Sequence, residues 1–236
     1  MAVELVGLIG VVSMLAMMAL RVPIAIAMMI PALVGTIYLK GWGTLATSIE
    51  STVWMQSFNY TLSTIPMFIL MGELLFVSGV TDELFAAFRS WFGKVRGGLS
   101  LATIGASAAF AAASGSSVAT TGTIGVISSK EMLKANYNKR LIGGSIVAGG
   151  TLGILIPPSN ILIIYGMLTG ESVGKLLIAG ILPGILLAIL FMITIVLSVM
   201  INPQLAPRGE SSTWRERLLS IKKVLWILVL FIIVIG

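Results

Sequence analysis

Two short stretches of this chain carry residue types suited to binding ions and carboxylates: AAASGSSVATTG at 111–122 and LGILIPPSN at 152–160. In the second, Pro157 and Pro158 have no amide hydrogen, so the carbonyls of Gly153 and Ile154, four residues earlier, lose their helical donors. Ile156 and Pro157 each precede a proline and are driven toward extended backbone. Ser159 and Asn160 then open a second half-helix, where a side-chain oxygen caps free N–H groups. In the first stretch, Ser114, Ser116 and Ser117 gather hydroxyls around Gly115. Freed carbonyls and hydroxyls are hard oxygen ligands that suit an alkali cation, while half-helix N-termini favour a carboxylate. The expected cation ligands are Ser114, Gly115, Ser116, Gly153, Ile154 and Pro157; the expected anion contacts are Ser116, Ser117, Thr120, Ser159 and Asn160. Neither stretch holds Asp, Glu or His, and neutral oxygens carry no exchangeable proton near neutral pH, which favours sodium over a proton. A lone proline kink in a membrane helix is usually structural; here a glycine, two prolines and a Ser-Asn pair coincide.

The elements that must hold these residues are helices in lipid. Of the 236 residues 57% are hydrophobic and 10% charged, mean hydropathy is +1.06, and apolar runs repeatedly exceed the ~20 residues that span a bilayer core. The expected fold is an all-α polytopic membrane protein with about six spans, near 3–20, 22–39, 61–80, 141–168, 174–200 and 224–236. The first run has Glu4, no basic residue before it and Arg21 after it, unlike a secretory signal, and is taken as a retained span. Absence of Cys and His removes thiolate chemistry, disulfides and the commonest general base, so an enzyme is not expected.

Residues 99–128 are uncharged, yet Ala, Gly, Ser and Thr make up 22 of the 30. A lipid-facing helix would be filled with Leu, Ile and Phe, so another surface must touch this run. Were it to cross once, Arg89, Lys94 and Arg96 would lie opposite Lys130, Lys134, Lys139 and Arg140, against the positive-inside bias. If it enters and returns, thirteen of the fifteen Lys and Arg share one side, with only Lys40 and Lys175 opposite, and the N-terminus is extracytoplasmic. Two arms of ~13 residues reach ~20 Å, just past the middle of a ~30 Å core, which puts the tip near 113. Non-helical backbone at that depth survives only when protein or a water-lined cavity surrounds it, hence the small residues. The alternative is one small-residue helix packed by small-xxx-small contacts. Single cysteines replacing Lys94 and Lys134 are expected to react with a membrane-impermeant maleimide from the cytoplasmic side in both cases; labelling from opposite sides overturns the hairpin.

Thr81 begins TDELFAAFRSWFGKVRGG, with Leu84, Phe85, Phe88, Trp91, Phe92 and Val95 on one helical face, an expected interfacial helix. A second starts at Thr213, with Glu216 at capping-box spacing. Glu73 is the one acid well inside an expected span; a proton-coupling role is weighed against a structural one near the cytoplasmic end. Trp54, Gln56, Asn59 and Tyr60 are expected in an extracytoplasmic loop that anchors at the interface.

LRVPIAIAM at 20–28, IPMFILMGELLFVSGV at 65–80, AAASGSSVATTGTIG at 111–125 and GGTLGILIPPSNILIIYGMLTGESVGKLLIAGILPG at 149–184 resemble the large membrane subunit of tripartite ATP-independent periplasmic (TRAP) transporters. The resemblance implies an elevator-type secondary transporter driven by sodium, with no cofactor beyond that coupling ion. It implies a multi-pass protein of the bacterial inner membrane. The implied partners are a small Q-type membrane subunit, a periplasmic substrate-binding protein and an organic acid anion (dicarboxylate, keto acid or sialic acid), with the lipid bilayer around them and no nucleic acid. Family members carry a second, inverted half, so these residues are expected to form the N-terminal half of such a subunit. The organisation implied is scaffold-type spans at 1–80, a connector helix at 81–97, a re-entrant hairpin at 98–129, a broken transport-domain helix at 130–172, a span at 173–207, and an interfacial helix with a truncated span at 208–236. A non-transporting membrane scaffold is the competing function and a channel the third.

Overall fold

A computed structural model of the chain describes residues 3–58, 60–207, 209, 217, 220 and 229. They divide into two compact units, Met1–Asn59 and Tyr60–Gly236. Among the described residues the regular structure is helical, with no strand. Among the described residues three helical stretches are long and apolar enough to cross a membrane, Ile24–Met55, Lys139–Thr169 and Val173–Ile201, with a fourth if the bent pair Leu62–Val77 and Val80–Phe92 counts as one span. Val3–Ala19 and Gly98–Ser114 are shorter apolar helices. The expected span at 224–236 and the helix from Thr213 lie outside the described residues, apart from the isolated positions above.

In the first unit, α1 (Val3–Ala19) packs on α2 (Ile24–Ser57). No α1 residue is buried, and the apolar side chains point outward on every side, as they do on helices surrounded by hydrocarbon. At Gly41 the backbone leaves helical geometry (φ 80°, ψ 168°), a conformation open to glycine, and α2 kinks there. The span expected at 22–39 stops at this kink, but the chain beyond Gly41 is again helical, where a loop with Trp54 and Gln56 was expected. Leu45, Ile49 and Val53 recur every four residues, and this spacing outweighs the glycines and charges around it. The rings of Trp54 and Phe58 meet at 4.3 Å. Asn59 lies outside the described residues, and Tyr60 opens the next helix.

In the second unit, α3 (Tyr60–Val77) bends by 69° into α4 (Val80–Phe92) through Gly79, at φ 76°. Then come α5 (Gly98–Ser114), α6 (Ser117–Lys134), α7 (Lys139–Leu155), α8 (Asn160–Thr169), α9 (Val173–Ile201) and a short 3-10 turn. α5 and α6 form a helical hairpin. Its two ends meet, since the Leu99 amide donates to the Tyr137 hydroxyl at 3.2 Å. Met132, Tyr137, Ile142, Val199 and Ala206 pack together at this base. The arms have 17 and 18 residues, about 26 Å each. They outrun the expected ~13 because α6 continues helically through Lys130, Glu131 and Lys134: loss of apolarity ends the uncharged run but not the helix.

The apolar face of α4 was expected to meet the membrane surface. Part of it meets protein: Leu84 and Phe85 pack against Ala102, Ala106, Phe110 and Ile124 of the hairpin. Trp91 and Val95 stay exposed. Arg89 of α4 pairs with Glu131 of α6 at 2.6 Å, both partly solvated, which contributes about 0–1 kcal/mol. Close packing of small and aromatic side chains, rather than transfer out of water, holds such helices together in lipid.

Candidate functional site

The first break follows α5. Gly115 takes the left-handed conformation (φ 61°, ψ 13°) and its amide closes the helix on the Ala111 carbonyl at 2.9 Å. Ser116 is extended, and its side chain accepts from the Ala119 amide at 3.2 Å, capping α6. The tip is thus at 115–116, two residues beyond the expected 113. Around it the hydroxyls are linked: Ser114 Oγ and Thr120 Oγ1 are 3.2 Å apart, and Thr120 Oγ1 donates to the Ser116 carbonyl at 2.7 Å. Ser114 and Thr120 are fully buried. Ser117 contributes its carbonyl to the Thr121 hydroxyl at 2.7 Å.

The second break separates α7 from α8. Ile156 is extended at φ −74°, ψ 120°, as a residue before proline must be, and the Pro157-Pro158 bond is cis. Pro157 supplies no N–H to the Gly153 carbonyl. The Ile154 carbonyl, expected to be freed equally, instead accepts the Ser159 hydroxyl at 2.6 Å. Ser159 also caps α8 through the Leu162 amide at 3.4 Å. Pro157, Pro158 and Ser159 are all buried.

The two breaks touch. The Asn160 amide donates to the Gly115 carbonyl at 3.1 Å, so the first donor of α8 is spent on the hairpin tip. A Cβ placed on Gly115 would run into the Pro158 carbonyl oxygen. One on Gly153 would lie 2.8 Å from the Ser117 nitrogen and 2.9 Å from the Ser116 carbonyl carbon. Backbone therefore lies against backbone, which only glycine permits. Asn160 Oδ1 is buried without a hydrogen-bond partner, an acceptor left open beside the tip.

Of the residues singled out by sequence, Gly115, Ser116, Ser117, Gly153 and Asn160 come together here, with Ser114 and Thr120 directly behind the tip. Pro157 is buried within the second break, and Ile154 is partly turned to the surface with its carbonyl engaged. Sequence reasoning missed what surrounds the breaks. Gly72 of α3 backs the tip, where a Cβ would stand 3.0 Å from Ser114 Cβ. Gly180 and Gly184 of α9 lie on the second break, against the Leu155 carbonyl and the Ile156 side chain. Gly149 and Gly150 let α7 close onto Ser107 and Thr121. The four-residue spacing of Gly180 and Gly184 was a readable hint of the approach of α9. Glu73 is exposed and immediately follows Gly72, on the same α3 helix that backs the tip.

A helical hairpin laid against a broken helix, in an apolar all-α chain, defines a membrane protein built around interrupted helices. Over residues 11–236 the chain matches the family described as the DctM component of the tripartite ATP-independent periplasmic transporter, and it belongs to that family. It is 34% identical over 220 residues to the C4-dicarboxylate TRAP transporter large permease protein of Vibrio cholerae serotype O1, covering 93% of this chain and 48% of that one. It is 36% identical over 142 residues to the sialic acid TRAP transporter permease protein of Haemophilus influenzae, covering 60% of this chain and 23% of that one. Against the ectoine/5-hydroxyectoine TRAP transporter large permease protein of Ruegeria pomeroyi it is 31% identical over 214 residues, 89% of this chain and 49% of that one. The chain spans about half the length of large permease relatives that it matches.

Proposed function

We propose that this chain supplies one half of the substrate and ion site of a sodium-coupled importer of organic acid anions in the bacterial inner membrane. The observation that carries this reading is the junction itself: the Asn160 amide on the Gly115 carbonyl, with the open Asn160 Oδ1 beside it. Two interrupted helices that meet backbone to backbone present carbonyls, hydroxyls and half-helix N-termini in one place, which suits a dehydrated alkali cation next to a carboxylate. In this reading Ser114, Gly115, Ser116, Gly153, Ile154 and Pro157 surround sodium, and Ser116, Ser117, Thr120, Ser159 and Asn160 meet the anion. Ile154 contributes through the second lone pair of a carbonyl already bonded to Ser159.

The substrate is of the dicarboxylate, keto acid or sialic acid type. No Lys or Arg occurs at either break, so hydroxyls and amides do the recognising, a set of donors that also accommodates varied carboxylates. The hairpin is re-entrant from the cytoplasmic side, the N-terminus is extracytoplasmic, and transport proceeds by an elevator movement rather than by catalysis. A small Q-type membrane subunit and a periplasmic binding protein complete the system.

Reconstituted alone, this 236-residue chain is expected to insert in vesicles and to show no sodium-driven accumulation of succinate or sialic acid. The relatives are about twice as long, and an inverted second repeat supplies the facing hairpin and break in such architectures. Robust uptake by the isolated, monomeric chain overturns the half-site reading.

A further inference from the structure

α7 and α9 leave a lateral cavity of about 280 Å³ between them, with Arg140 at one end and Gly144, Ser145, Ala148, Phe191 and Thr194 among its walls. From Arg140 to Ala148 the cavity follows α7 for roughly 12 Å. Of its three hydroxyl residues, Ser145 donates to the Leu141 carbonyl at 2.7 Å and Thr194 to the Leu190 carbonyl at 2.8 Å, and Ser198 lies among the remaining walls with Leu141 and Ile195. Between Arg140 and Ser198 the slot is mainly apolar, walled by Leu141, Ala148, Phe191 and Ile195. Gly144 on α7 and Thr194 on α9, both among its walls, are exposed, so it opens onto the outer surface of two apolar, membrane-length helices. Arg140 lies in the first turn of α7, which contains no acid, follows Lys139, and among the described residues makes no ion pair.

We propose that this cavity seats one acyl chain of an anionic phospholipid whose headgroup phosphate pairs with Arg140. The charge decides the headgroup: an unpaired guanidinium beside the positive end of a helix selects a phosphate without a compensating cation. The slot decides between a lipid and a free anion, because a soluble anion has no use for an apolar channel two turns long. The inference concerns a surface away from the two breaks and stands independently of the transport reading.

The test is native mass spectrometry of the delipidated 236-residue chain supplied with phosphatidylglycerol, phosphatidylcholine or inorganic phosphate. Phosphatidylglycerol is expected to be retained about fivefold better than phosphatidylcholine, the factor one basic side chain supplies near an anionic headgroup. Arg140→Gln is expected to remove that preference. A Cβ on Gly144 meets nothing within 4 Å, so Gly144→Leu grows into the slot without displacing protein and is expected to lower retention severalfold. Gly143→Leu, equally unobstructed and not among the cavity walls, is the control and is expected to leave retention unchanged. If Arg140→Gln fails to fold, the two glycine variants decide the matter. Equal retention of the two lipids, or no difference between the glycine variants, overturns the proposal. So does a phosphate adduct that Gly144→Leu leaves intact, which would mark a free-anion site instead.

Discussion

Gly115→Ala is expected to destabilise the purified chain by about 3 kcal/mol or more, a large share of a typical domain's stability. Two costs combine. At φ 61° an alanine sits in the left-handed region, which costs roughly 1–2 kcal/mol. Its Cβ also meets the Pro158 carbonyl oxygen, a backbone atom in a buried segment that has no rotamer with which to yield. Relief requires pulling the breaks apart, and that stretches the Asn160–Gly115 hydrogen bond that joins them. Gly153→Ala is expected to act in the same way, since every near neighbour of its Cβ is backbone, at 2.8 to 3.0 Å. Gly143→Ala supplies the contrast: its Cβ meets nothing, so helix propensity alone acts, and the change is expected to be neutral or to stabilise by up to about 1 kcal/mol. Thermal unfolding in detergent, followed by circular dichroism, separates these outcomes. Wild-type stability for Gly115→Ala would show that the breaks do not pack as described.

Much of this junction was legible in the sequence because local chemistry fixes it. The Pro157-Pro158 pair ends a helix wherever it occurs, and Ser159 is a cap by residue type. The hairpin tip could be placed within two residues from the length of an uncharged run and the side on which its flanking charges fall. What packs behind each break was not legible. Gly72 belongs to a helix whose glycine looks like any other until Ser114 is found 3.0 Å from its Cβ position. Gly180 and Gly184 have a small-xxx-small spacing that hints at a close approach, but only the structure shows that Leu155 and Ile156 are what approaches. Contacts between elements distant in sequence leave no periodicity to read. The helix beyond Gly41 was missed for the opposite reason: a local signal, Leu45, Ile49 and Val53 at four-residue spacing, was present but was not read. The apolar face of α4 was recognised, but not that a protein surface would cover Leu84 and Phe85, because a hydrophobic stripe does not say whether lipid or helix lies opposite.

In a complete transporter containing this half, replacing Pro157 and Pro158 together by Ala is expected to reduce sodium-dependent uptake at least tenfold while membrane insertion persists. The alanines restore amide donors at both positions, so the Gly153 carbonyl regains a helical partner and is withdrawn from any cation. Ile154 responds less simply. Its carbonyl already accepts the Ser159 hydroxyl, so a new donor at 158 competes with that bond and loosens the cap that starts α8. Both effects turn the break back toward continuous helix, and the Asn160 amide is drawn off the Gly115 carbonyl. Ser116→Leu tests the other side: it removes the α6 cap and fills the tip with an apolar side chain, and is expected to weaken sodium dependence more than insertion. A proton-coupled mechanism makes a different forecast, because neither break offers a titratable group, whereas Glu73 lies on α3 next to the glycine that backs Ser114. Sodium and proton gradients imposed separately on proteoliposomes distinguish the two. Uptake that follows sodium alone, falls with the double alanine and survives Glu73→Gln is the expected result. Uptake driven by a proton gradient without sodium, and abolished by Glu73→Gln, would move the coupling step off both breaks and onto α3.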